Sequence, residues 1–79
     1  MLLNEEDAVR KIEGVVESLR PGFTTNGGDV TLVKYEQGIV YVHFVGSYIG
    51  YPSDPRITVE MIERQLRMVV PEVERVERL

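Results

Sequence analysis

The stretch "GSYIGYPSD", Gly46–Asp54, carries two tyrosines, Tyr48 and Tyr51, spaced Y-x-x-Y around Gly50. Glycine and proline turn the chain tightly, so such a loop presents two identical side chains together. Thiols at this spacing would make a metal site the first reading, because soft sulfur matches transition metals. A phenol is a hard oxygen ligand that ionises only near pH ~10. Three readings of the tyrosines follow. Their rings pack and leave the hydroxyls in water. They are presented to a protein partner or to a second copy of the chain, tyrosine being enriched at interface hot spots. Or they bind ferric iron as phenolates, with His43 or Asp54 as a further ligand. The iron reading is the weakest, because His43 falls several residues back on an expected strand and the loop holds no second carboxylate. The expected partner-binding positions are therefore Tyr48, Ile49, Gly50, Tyr51 and Pro52, with no metal ligand among them.

Other reactive side chains support little chemistry. Ser47 and Ser53 have no neighbouring histidine to act as a base. His43 is the single histidine of the chain, and one imidazole makes no metal cluster. Gly27–Gly28 precedes a strand, not a helix, and neither a G-x-G-x-x-G nor a Walker pattern is present. A non-enzymatic protein is the expectation.

Composition narrows the class. The chain has 79 residues, which suggests one small domain, residues 1–79, with a thin core. It holds 0 cysteines, so neither disulfides nor thiolate ligands are available. Nine basic residues stand against thirteen acidic ones, for a net charge of -4. That balance disfavours a general phosphate grip, so no nucleic-acid partner is expected. No apolar run approaches the ~20 residues of a membrane span. The start, "MLLNEEDAVRK", has acids where a signal peptide needs bases. A cytoplasmic domain is the expectation.

The elements that must position the loop read clearly. Asn4 caps a helix whose first turn is acidic, and Val9, Ile12, Val15, Val16 and Leu19 share its apolar face. Pro21 and Gly22 are expected to end or kink it, with a turn over "FTTNGGD" where Asn26, Gly27 and Gly28 tolerate positive φ. "DVTLVKYE" and "IVYVHFVG" alternate as two strands joined at "QG", with Val40, Val42 and Phe44 facing the core and His43 facing solvent. After the loop, Asp54 and Pro55 mark a second helix. Its buried stripe is expected to be Val59, Ile62, Leu66 and Val69, with Glu63 and Arg67 paired on the exposed side. Pro71 stops it, and "EVERVERL" reads as a short edge strand. The fold class is α+β: a small mixed three-stranded sheet with two helices on one face, in the order α-β-β-α-β.

Taken together, "RPGFTTNGGDVTLV", the hairpin "EQGIVYVHFVG" and "VPEVERV" resemble the C-terminal domain of NifU, the Nfu domain of iron–sulfur cluster assembly. The first helix fits as well, so the resemblance covers nearly the whole chain. It implies a cluster scaffold or carrier, in which two such loops from two subunits hold one 4Fe–4S cluster through four thiolates. The family pattern in the loop is glycine, a small residue, Cys, any residue, glycine, Cys, proline, serine. Here Gly46, Ser47, Gly50, Pro52 and Ser53 keep the frame, while Tyr48 and Tyr51 stand at both ligand positions. The start of the second helix has diverged too, at Ile57, Thr58, Val59 and Met61. The expectation is a metal-free, protein-binding member that acts through residues 46–53, on a partner or in a homodimer. The alternative is an iron-binding or cluster scaffold that uses unusual ligands or a partner's ligands.

Overall fold

A computed structural model describes residues 4–25, 27–46 and 55–79, with the side chains of 55–57 left aside. Its elements are α1 (Glu5–Thr24), β1 (Gly28–Glu36), β2 (Ile39–Gly46), α2 (Pro55–Val69) and β3 (Arg75–Arg78). This is the α-β-β-α-β order and the mixed sheet expected from sequence. Asn26 and Asp54, read as a turn residue and a helix cap, lie outside the described residues.

The sheet order is β1-β2-β3, which puts β2 in the centre. β1 and β2 form an antiparallel hairpin closed by Gln37 and Gly38, both at positive φ, 52° and 81°. Two such residues make the turn whose twist matches paired strands. A bulge between Leu32 and Lys34 shifts the register of β1. β3 runs parallel to β2, Val76 opposite Val40, so it lies beside β2 and not β1. A parallel neighbour needs a crossover, and α2 supplies it.

Both helices cover one sheet face. Ala8, Ile12, Val16 and Phe23 from α1 and Ile62 and Leu66 from α2 meet Val30, Val40, Val42 and Val76 from the strands. Each fully buried aliphatic side chain stabilises by about 1.5–3 kcal/mol, which matters in a chain this short. Asn4 caps α1 as expected, its Oδ1 accepting from the Asp7 amide at 2.8 Å.

Four sequence expectations are corrected. First, α1 does not end at Pro21 but continues to Thr24. Proline costs a helix one hydrogen bond, and continuing past it buries Phe23 completely. The Phe23 ring lies 5.7 Å from that of Phe44. The Pro21 carbonyl is well used, accepting from the Thr25 amide at 3.0 Å and the Thr25 hydroxyl at 2.7 Å.

Second, the buried stripe of α2 is Thr58, Ile62 and Leu66, continued by Val70 just beyond the helix. Val59 is only half-buried and Val69 is exposed. Spacing of four, not three, faces this sheet. Third, Glu63 is not simply a surface partner of Arg67. The two approach to 3.6 Å, and Glu63 Oε2 also accepts from the Val76 amide at 2.9 Å. Phe44 is half-buried and not fully in the core, because it sits where the sheet runs out toward Gly46.

Thr58 is fully buried, and its hydroxyl has no hydrogen-bond partner among the described residues. An unsatisfied buried hydroxyl costs about 1–3 kcal/mol. Thr58→Val is therefore expected to stabilise the fold by about 1 kcal/mol. Urea unfolding checks this: the midpoint rises with an unchanged slope.

Candidate functional site

The loop that sequence singles out joins the end of β2 to the start of α2. Tyr48, Ile49, Gly50, Tyr51 and Pro52 lie outside the described residues, as do Ser47, Ser53 and Asp54. The frame that launches the loop is described, and it is closely built. Gly46 closes β2 at φ 73° and pairs across the ladder with Gly28. A Cβ on Gly46 would stand 2.5 Å from the Gly27 carbonyl oxygen. Gly27 itself sits at φ 85°. Two backbones thus approach at a distance that no side chain allows, and glycine is required on conformational grounds as well.

An ion pair holds this corner. Arg20, on the last turns of α1, donates from Nε to Asp29 Oδ1 at 2.9 Å and from Nη2 to Oδ2 at 2.8 Å. The fork-on-carboxylate geometry fixes orientation as well as distance. Glu17 approaches the same guanidinium at 3.2 Å. Asp29 Oδ1 also accepts from the Val30 amide at 2.8 Å, which seats the carboxylate at the start of β1. Arg20 is the main reason the Asp29 carboxyl is held below its ordinary pKa, with the Val30 amide next. The Arg20 guanidinium is correspondingly held further toward its charged form. α1, β1 and the end of β2 are tied together where the loop departs.

His43 is exposed on the face of β2 away from the core, as expected. Its Nδ1 lies 3.3 Å from the Leu79 carbonyl oxygen, which accepts from it in the Nδ1–H tautomer. The ring is thus engaged at the edge formed by the end of the chain. Among the described residues, no group of three or more His, Cys, Asp or Glu side chains converges as a metal site. A 4Fe–4S cluster of the kind the resemblance implies needs thiolates. The chain holds no cysteine, so the donor set does not fit that cluster.

Arg20 and Asp29 both lie in the stretch that carries the resemblance, and nothing local in the sequence pairs them. The available signal was a cation at a helix end and an acid just after a double glycine. The contact between Gly46 and Gly27 left only the glycines themselves as a trace.

A small α+β module with a glycine-framed crossover loop is what this geometry defines. The family model for the NifU-like domain matches residues 12–77. The chain belongs to that family. It is 29% identical over 80 aligned residues to the NFU1 iron-sulfur cluster scaffold homolog, mitochondrial, of Drosophila grimshawi, covering 100% of this chain and 27% of the relative. The corresponding protein of Drosophila ananassae is 30% identical over 80 residues, covering 100% of this chain and 28% of the relative. The chain thus spans only about a quarter of the length of these curated relatives. No helix among the described residues is long and apolar enough to cross a membrane.

Two outcomes test the frame. Gly46→Ala forces a left-handed conformation on alanine and a Cβ into a carbonyl oxygen, so it is expected to cost at least ~1–2 kcal/mol, read from denaturant midpoints. The Asp29 carboxyl, lowered in the folded state, binds fewer protons folded than unfolded. Its stabilisation is complete above its ordinary pKa of 3.8 and is lost as pH falls through the lower folded value. Urea midpoints measured between about pH 2 and 6 should fall less steeply on the acid side in Asp29→Asn than in wild type.

Proposed function

We propose that this chain is a non-enzymatic, protein-binding module of iron–sulfur cluster assembly that does not itself hold a cluster. It acts through residues 46–53, on a protein partner or a second copy of itself, and not on a nucleic acid or a membrane. One observation carries the reading. Gly46, Gly50 and Pro52 match the loop pattern that the family resemblance implies, and Tyr48 and Tyr51 stand where that pattern has its ligands. Kinship to proteins named as iron-sulfur cluster scaffold homologs supports the pathway. The chemistry of the substitution supports the loss of the cluster, since a phenol replaces soft sulfur with hard oxygen. Tyr48 and Tyr51 retain what an interface uses: large, stiff rings with a polar tip. The frame that shaped a ligand-bearing loop then serves to present them.

Anaerobic reconstitution with iron and sulfide, read by visible absorption, tests the first half. No charge-transfer band is expected. A band in wild type that disappears in the double variant Tyr48→Phe with Tyr51→Phe would overturn the metal-free reading. Sedimentation equilibrium and pull-down from an extract test the second half. Self-association or a retained protein is expected to weaken in Tyr48→Ala. If neither differs between wild type and Tyr48→Ala, the loop is not the binding surface.

A further inference from the structure

The helices cover one face of the sheet, and the other face is open. Val40 and Val42 of β2 lie under the helices, so Ile39, Tyr41, His43 and Val45 point to the opposite side. No described element lies over that side. His43 and Val45 are exposed there, and Ile39 and Tyr41 are half-buried between their neighbours. A sheet with one face in water ordinarily shows that face a polar row. Here the central strand shows two aliphatic side chains, a phenol ring and an imidazole.

The ladders place charge on both flanks of this column. Lys34 of β1 and Glu77 of β3 lie on either side of Tyr41. Glu36 of β1 and Arg75 of β3 lie on either side of Ile39. Contacts put all four on the open side. Lys34 Nζ stands 4.9 Å from the centre of the Tyr41 ring and 3.6 Å from Glu36, and Arg75 Nε donates to Glu77 at 2.7 Å. The signs form a chequerboard, positive then negative along β1 and negative then positive along β3. The four charges sum to zero, although the chain carries a net charge of -4. Two copies that repel one another elsewhere do not repel here.

We propose that two copies of this chain pair through these open sheet faces, related by a half-turn about an axis that runs along β2 in the plane of contact. Such a half-turn keeps position along the strand and exchanges the β1 and β3 flanks. Lys34 then faces Glu77 of the second copy, and Glu36 faces Arg75 of the second copy. Each charge gains an opposite neighbour across the contact and keeps the one on its own strand. Tyr41, Ile39 and Val45 meet their counterparts near the axis, which gives an apolar, aromatic centre inside a polar rim. Stacked sheets lie about 10 Å apart and cross at about 30°, a gap that long flanking side chains span. An axis across the strands, between Tyr41 and Ile39, also matches the charges. It leaves His43 and Val45 beyond the hairpin end of the second copy, so it covers less of the column. The face is small, three strands ~4.8 Å apart by ~20 Å of β2, so the dimer is weak and concentration-dependent. The contact does not rest on the reading of the 46–53 loop.

Sedimentation equilibrium of the full chain, over a wide range of concentration, tests this. A monomer–dimer equilibrium is expected. Lys34→Glu and Glu77→Lys each set like charges against one another across the axis, and each should weaken the dimer about tenfold or more. An equimolar mixture of these two variants should recover it, because opposite charges face again in the mixed pair. Urea midpoints near that of wild type show that both variants fold. Val45→Lys, an exposed change, sets two ammonium groups beside the axis and should abolish the dimer. The dimer should persist in Tyr48→Ala, whatever that change does to a partner held by the loop. A monomer at every concentration, a dimer indifferent to Val45→Lys, or folded charge variants that do not recover on mixing would each overturn the proposal. So would a dimer that is lost in Tyr48→Ala and insensitive to the charge changes.

Discussion

The structure depends on burying one strand. β2 is the central strand, and its inward residues Val40 and Val42 are fully removed from water. Every other element is placed by that requirement. β1 returns along one side through a two-residue turn, and β3 enters parallel on the other. A parallel entry obliges the chain to cross over, and α2 is that crossover, packing Thr58, Ile62 and Leu66 back onto the sheet. α1 covers the rest of the same face with Ile12, Val16 and Phe23. A 79-residue chain without disulfides has few spare apolar side chains, so this single layer carries most of the stability.

The crossover also explains where the candidate loop sits. It must leave β2 at Gly46 and arrive at Pro55, so its departure is set by the sheet and not by its own residues. The glycine pair and the Arg20–Asp29 fork pack α1 and β1 against that departure point. This separates two properties that the family normally joins. The frame is a matter of backbone packing, set by Gly46, Gly27 and Gly28. Cluster binding is a matter of donor atoms, and two tyrosines do not supply them.

Charge is distributed with comparable economy. Arg20 and Asp29 satisfy one another at the loop corner, while Glu63 bonds the Val76 amide of β3 and Arg67 holds the Val73 and Glu74 carbonyls just before it. The net charge of -4 leaves carboxylates without an equal number of cations; two carboxylates, Glu13 and Glu17, stand beside β1, the second of them paired with Arg20.

Sequence by itself determined the element types and their order, because local signals set them. Asn4 before an acidic turn, alternation through "IVYVHFVG", the "QG" turn and Pro55 at a helix start each act over a few residues. It also determined the family frame and the absence of thiol ligands, which are matters of residue identity. Tertiary structure decided the rest. Helix α1 runs through Pro21 because Phe23 gains a buried place against Phe44. The stripe of α2 runs through Thr58 and Val70 instead of Val59 and Val69, because the sheet, and not helical spacing alone, chooses the face. β3 joins β2, Arg20 finds Asp29, and Gly46 meets Gly27 only once distant segments pack. Those contacts depend on which surfaces meet, and neighbouring residues carry no record of that.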